Sequence, residues 1–142
     1  MVFTSLDPFK GRGSKVATFA ADPKADYRWV ISPRANRISL VNNQNANIDV
    51  LSLDGQPARK ISVKGYLTLD RLYWASDGKG FYVSTLGEDS TLLSCVHLQR
   101  KSHMVWSKKG GLGTTGIPSP DAKHIAMQSW TLNTNLGMME NF

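Results

Sequence analysis

Ser32-Pro33-Arg34-Ala35-Asn36-Arg37-Ile38, Ala75-Ser76-Asp77-Gly78-Lys79-Gly80-Phe81 and Ser119-Pro120-Asp121-Ala122-Lys123-His124-Ile125 superimpose without gaps. Ser32 and Ala75 are 43 residues apart, and Ala75 and Ser119 are 44 apart. Each segment has the chemistry of a tight turn. Pro presets φ, Asp bonds to its own downstream backbone, and Gly or Asn accepts a positive φ. The flanks read as short strands rich in β-branched and aromatic residues: Arg28–Ile31 and Arg71–Trp74 before the turn, Ile38–Val41 and Phe81–Ser84 after it. Asn47–Leu53 and Leu92–Leu98 follow, then Arg59–Val63 and His103–Trp106. Each unit therefore reads as four antiparallel strands, a to d, joined by hairpins, with the repeated turn between a and b.

A period of about 40–45 residues is what a four-stranded propeller blade occupies, and apolar faces of helical period are absent. The expected fold class is all-β: a β-propeller with about three four-stranded antiparallel blades in this chain, a partial ring. One propeller segment is expected over 1–142, with 1–21 as strands c and d of a preceding blade, 25–66 and 67–110 as blades, and 111–142 as an incomplete blade. A further strand c is expected near Leu136–Met139. Such rings close with roughly 4–8 blades. The expected partner is thus a second copy completing the ring as a homodimer, or the rest of a longer chain.

The chain has 142 residues, 17 Lys+Arg, 11 Asp+Glu, a formal charge of +6 and 41% hydrophobic residues. The apolar fraction is too high for a disordered chain, and no apolar run approaches the roughly 18 residues of a membrane helix. Direct membrane insertion is not expected. The first seven residues, Met1–Asp7, have neither the basic nor the apolar region of a signal peptide. Cys95 is the one cysteine, which excludes an internal disulfide and is read as excluding any Cys-based zinc site. His97, His103 and His124 show no metal-ligand spacing, so neither a metal nor a cofactor is expected.

Ser119, Asp121 and His124 combine hydrolase-like residue types, but they share one hairpin and cannot build a nucleophile elbow with an oxyanion hole. Gly110-Gly111-Leu112-Gly113 lacks the Lys-Ser/Thr of a phosphate loop and reads as the connection between blades. Asp22, Asp26, Asp70, Glu88 and Asp89 read as solvated loop charges. No catalytic residue is assigned. Lys10, Arg12, Arg59, Lys60, Arg100 and Lys101 in the c–d hairpins, with Arg34, Arg37, Lys79 and Lys123 in the a–b hairpins, give one face of the disc a positive charge. Aromatic residues are not spaced as stacking platforms, so nucleic acid is not expected as a partner.

On the opposite face, Arg28 and Arg71 share one register position at the start of strand a, and Thr115 takes that position in the third unit. With Asn42, Asn43 and Gln44 in one b–c loop and Trp130 and Asn133 in another, they form the candidate binding site at the channel mouth. A protein or small polar ligand is expected there.

Strand, Ser-Pro-Asp-Ala-Lys-His-Ile, strand at this spacing resembles the TolB-type, WD-repeat-like propeller repeats of bacterial periplasmic and receptor proteins. The pattern departs from them at Arg34, where Asp is usual, and at Ala35 and Ala122, where Gly is usual. The tail (Trp106–Gly111, Gly116–Asp121, Trp130–Asn133 and Met138–Phe142) resembles the C-terminal end of propellers attached to some bacterial transmembrane serine/threonine kinases. The resemblance implies a non-enzymatic binding or sensing module of a larger receptor kinase or scaffold. It implies an extracytoplasmic location for a receptor fragment, and a cytoplasmic one if Met1 is the native start. Rival readings are a propeller accessory to a hydrolase or peptidase, and a polyanion-binding surface.

Overall fold

The computed structural model describes residues 1–131 apart from Arg12 and Arg100. Those residues form twelve strands and no helix: β1 (Val2–Leu6), β2 (Gly13–Thr18), β3 (Tyr27–Ile31), β4 (Arg37–Asn42), β5 (Asn47–Ser52), β6 (Arg59–Ser62), β7 (Arg71–Trp74), β8 (Gly80–Leu86), β9 (Ser90–His97), β10 (Ser102–Lys109), β11 (Gly113–Pro118) and β12 (Ile125–Trp130). They assemble into two four-stranded sheets, β3-β4-β5-β6 and β7-β8-β9-β10, and two hairpins, β1-β2 and β11-β12. Every pairing is antiparallel between sequence neighbours. The all-β, propeller-like partial ring expected from the repeat is the fold observed. The strand expected near Leu136–Met139 lies outside the described residues.

The three repeated turns share one backbone solution. Ala35, Gly78 and Ala122 adopt φ of 52°, 69° and 60°. Their amides bond the carbonyls of Ser32, Ala75 and Ser119 at 2.8, 2.8 and 3.0 Å. Amides of the same three residues close each hairpin on Arg37, Gly80 and His124 at 2.9, 2.8 and 2.8 Å. The Ser32 hydroxyl accepts the amide of Arg37, and the Ser119 hydroxyl that of His124, each at 3.0 Å. Serine at the first position thus satisfies backbone donors that a two-stranded turn would otherwise leave open.

Period-2 alternation explains the packing. In β4, Ile38 and Leu40 face the β1-β2 hairpin, where Phe3 and Leu51 complete a small core with Val16 and Ala17 at its edge. Val41, on the other face of β4, joins Ile48, Val50, Ile61 and Val63 against Leu69, Leu72, Trp74, Phe81, Val83 and Val96 of the next sheet. Trp74 and Phe81, paired across β7 and β8, hold their rings 4.2 Å apart. A strand buried on both faces is what stacked blades require of their inner strands. β3 lies against β7 and β7 against β11, so the first strands of successive sheets are neighbours, and β11 also packs on β8 and β9. Glycine permits close approach between elements at several places, Gly80 and Gly116 among them. A Cβ at Gly80 would lie 2.6 Å from the Val96 carbonyl oxygen, and one at Gly116 would lie 2.5 Å from the Leu93 side chain.

Candidate functional site

The neighbouring strands β3, β7 and β11 define a channel wall with two unlike ends. Toward the repeated turns lies an apolar groove of about 480 Å³, lined by Val30, Ile31, Tyr73, Trp74 and Ile117 with the turn prolines Pro33 and Pro120. The opposite end carries charge. Arg28 Nη1 donates to Asp26 Oδ1 at 2.5 Å, and this bond above all raises the guanidinium's affinity for its proton. The charge of Asp70 acts on Arg28 in the same direction. Arg71 lies with its guanidinium carbon 5.7 Å from the centre of the Trp130 ring, within the range of cation–π attraction. Its Nε stands 3.6 Å from Asp70 Oδ2, beyond hydrogen-bond reach, and is buried without an accepting partner among the described residues.

The structure therefore gathers Arg28, Arg71 and Trp130 of the expected site and adds Asp26 and Asp70, which were expected to be solvated loop charges. The amide side chains have other work. Asn42 is buried and its Oδ1 accepts the Gln44 amide at 3.0 Å. Asn43 Oδ1 accepts the Asp26 amide at 3.3 Å, and Gln44 Nε2 donates to the Lys24 carbonyl at 3.0 Å. Asn43 and Gln44 thus hold the β4-β5 turn to the loop that carries Asp26, and so position Arg28 indirectly, while Asn42 braces the turn itself. Asn133 lies outside the described residues. Thr115, buried beside this end, has a hydroxyl with no partner among the described residues.

Ser119, Asp121 and His124 belong to their turn. Ser119 Oγ donates to Asp121 Oδ1 at 2.5 Å, and that bond, with the Lys123 amide, holds the Asp121 carboxyl below the usual carboxylate range. On the face of the repeated turns, Arg34, Arg37, Asp77 and Lys79 border a polar cleft of about 240 Å³, consistent with the basic hairpins expected there.

Strand register also makes a grouping that residue spacing does not show. Cys95 and His97 stand two apart on β9, and His103 of β10 is the cross-strand partner of Cys95. Burial pushes the Cys95 thiol up, and the charge of Asp77 adds to it. The Tyr82 hydroxyl, across from Cys95 on β8, is pushed up by burial first as well.

Stacked antiparallel sheets with their first strands side by side define an all-β, propeller-like protein carrying a paired Arg–Asp rim. No protein-family model matches the chain, and no curated protein matches its sequence. Among solved structures it is similar to a Bacteroides uniformis protein provisionally described as a 6-phosphogluconolactonase, at 15% identity and a TM-score of 0.59. The likeness covers 93% of this chain and 44% of the other, so the chain spans less than half the length of that neighbour. At this identity the likeness speaks for the fold, and it contains no link to TolB-type repeats or to receptor kinases. It corrects the exclusion of an enzyme. The fold is shared with a chain described as a lactonase, although the Ser119, Asp121 and His124 turn, the histidine spacing, the incomplete phosphate loop and the scattered carboxylates all spoke against catalysis. The Arg–Asp rim lies on the other face, away from that turn.

Proposed function

We propose that the chain forms part of a hydrolase-type propeller and supplies the wall that binds an anionic, sugar-derived substrate of the phosphogluconolactone class. Arg71 carries this reading. Its guanidinium lies over the Trp130 ring at the rim, and its half-exposed side chain leaves the terminal Nη groups, rather than the buried Nε, to meet a ligand. A planar fork of this kind suits bidentate capture of a phosphate or carboxylate. Asp26 and Asp70 keep the rim near neutrality and give way to the ligand's charge when it binds. The apolar groove at the other end of the same strands gives a sugar ring no comparable hydrogen-bonding partner. Support from the neighbour is limited to its fold and its description.

Titration calorimetry with 6-phosphogluconate, the product of that reaction class, tests the reading. The chain should bind it saturably and bind gluconate more weakly. Arg71→Ala should reduce affinity about tenfold or more, as expected for a lost charged hydrogen bond. Arg34→Ala, on the opposite face, should leave it unchanged. No binding by the unaltered chain, or equal binding by Arg71→Ala, would overturn the assignment.

For the same unit we infer that the chain on its own completes its ring with a second copy. The β1-β2 hairpin packs through Phe3 on Trp29, Ile38, Leu40 and Leu51 of the β3-β4-β5-β6 sheet, and the β11-β12 hairpin packs on β7, β8 and β9 at the other end, so each end is a two-stranded unit, among the described residues, that a second copy can complete to four strands. Trp29, 54% exposed on β3 although its ring meets Phe3 of the β1-β2 hairpin edge-on, marks the surface so covered.

A further inference from the structure

Three ligands suited to a borderline-soft cation, one thiol and two imidazoles, converge on one face of the β9-β10 ribbon. Alternation along β9 puts Cys95 and His97 on the same side, and the antiparallel register sets His103 directly opposite Cys95. Cys95 Sγ and His97 Nε2 are 4.0 Å apart, and the two imidazoles stack with centroids 6.0 Å apart. One ligand atom from each of the three residues lies within 4.8 Å of the others. In a tetrahedral zinc site with bonds of about 2.0–2.3 Å, neighbouring ligand atoms sit roughly 3.3–3.8 Å apart. Rotation of the two exposed histidine side chains covers that difference, while Cys95 stays fixed by its burial. A cavity of about 130 Å³ opens beside them, lined by Tyr82, Cys95, His97, Asp77, Pro118 and Ala122 among others.

We propose that Cys95, His97 and His103 bind a zinc-type divalent transition-metal ion with one coordination position open to solvent. Thiolate and imidazole select such an ion over magnesium or calcium, which prefer oxygen. Three protein ligands leave the fourth position of a tetrahedron for water, because His97 and His103 sit at the surface. The ion ties β9 to β10 next to the turn that carries Asp77. The proposal is independent of the anion site, which lies at the opposite end of the strands.

Cobalt(II) alone, titrated into the purified untagged 142-residue chain and followed by absorption, tests it. The expected result is saturation at one equivalent per chain, a thiolate-to-cobalt charge-transfer band in the near ultraviolet, visible bands of tetrahedral intensity, and loss of all of them on adding zinc. Cys95→Ser should remove the charge-transfer band. His103→Asn changes an exposed side chain, so it should keep the circular dichroism of the unaltered chain and weaken cobalt binding about tenfold or more. No thiolate band, no saturation at one equivalent, or equal binding by His103→Asn would overturn the proposal.

Discussion

Ala35 and Ala122 hold a left-handed backbone that glycine adopts freely, while Gly78 fills the equivalent position of the middle turn. A non-glycine residue there costs about 1–2 kcal/mol, partly offset by the roughly 0.5–1 kcal/mol that glycine loses through its freer unfolded chain. Ala35→Gly should therefore raise stability by about 0.5 kcal/mol, read from urea denaturation; a loss of stability would show that the turn is held by contacts at the alanine methyl. Asp121 gives a residue-scale test with pH. Its folded carboxyl titrates below the ordinary value because the Ser119 hydroxyl and then the Lys123 amide bond the charged form. The contribution is thus present above the ordinary carboxylate range and is lost as pH falls through the lowered value. Side-chain NMR should place the Asp121 midpoint below that of a free aspartate, and Ser119→Ala should move it upward. An unmoved midpoint would mean that the hydroxyl is not the partner.

At the level of strands and turns, most of the architecture was legible because it is local. Turn chemistry at Ser32-Pro33 and Ser119-Pro120, and alternation in Ile38–Val41, need only a few neighbouring residues to be read. The rim was legible in part. Arg28 and Arg71 stand out by shared register, whereas the backbone bonds of Asn42 to its own turn, and of Asn43 and Gln44 to the distant loop at Lys24 and Asp26, depend on how the chain folds back and cannot be read from spacing. The Cys95, His97 and His103 grouping was hidden because metal-site templates count spacing along one chain, whereas here the contact is made across the β9-β10 ladder. Exclusion of an enzyme failed for a related reason: it weighed motifs whose residues lie close in sequence, while the paired Arg–Asp rim is assembled from separate strands on another face. Close approach between strands is equally invisible in sequence, and Gly80 tests it. Its absent side chain lets β8 meet the Val96 carbonyl, so Gly80→Ala should cost about 1–3 kcal/mol by forcing that backbone apart, measured by thermal or urea unfolding. Stability within a few tenths of the unaltered chain would show that the two strands are not so close.

At the scale of the whole molecule, the proposed closure makes β3, β7 and β11 inner strands of a ring that one copy leaves open. Stacked sheets bury both faces of β4 and β8, but the same logic leaves Trp29 half-exposed at one end and Met127 at the other. Apolar faces of that kind attract a partner, and a closed two-fold exchange would bury more than the roughly 1,000 Å² of a stable interface. Trp29→Glu should weaken such an association by placing a charge in the covered surface. The decisive measurement is the mass in solution by light scattering at micromolar concentration. Closure by a second copy predicts twice the 15.7 kDa of one chain, falling toward a single chain in Trp29→Glu. A monodisperse 15.7 kDa species that stays folded and soluble would contradict it.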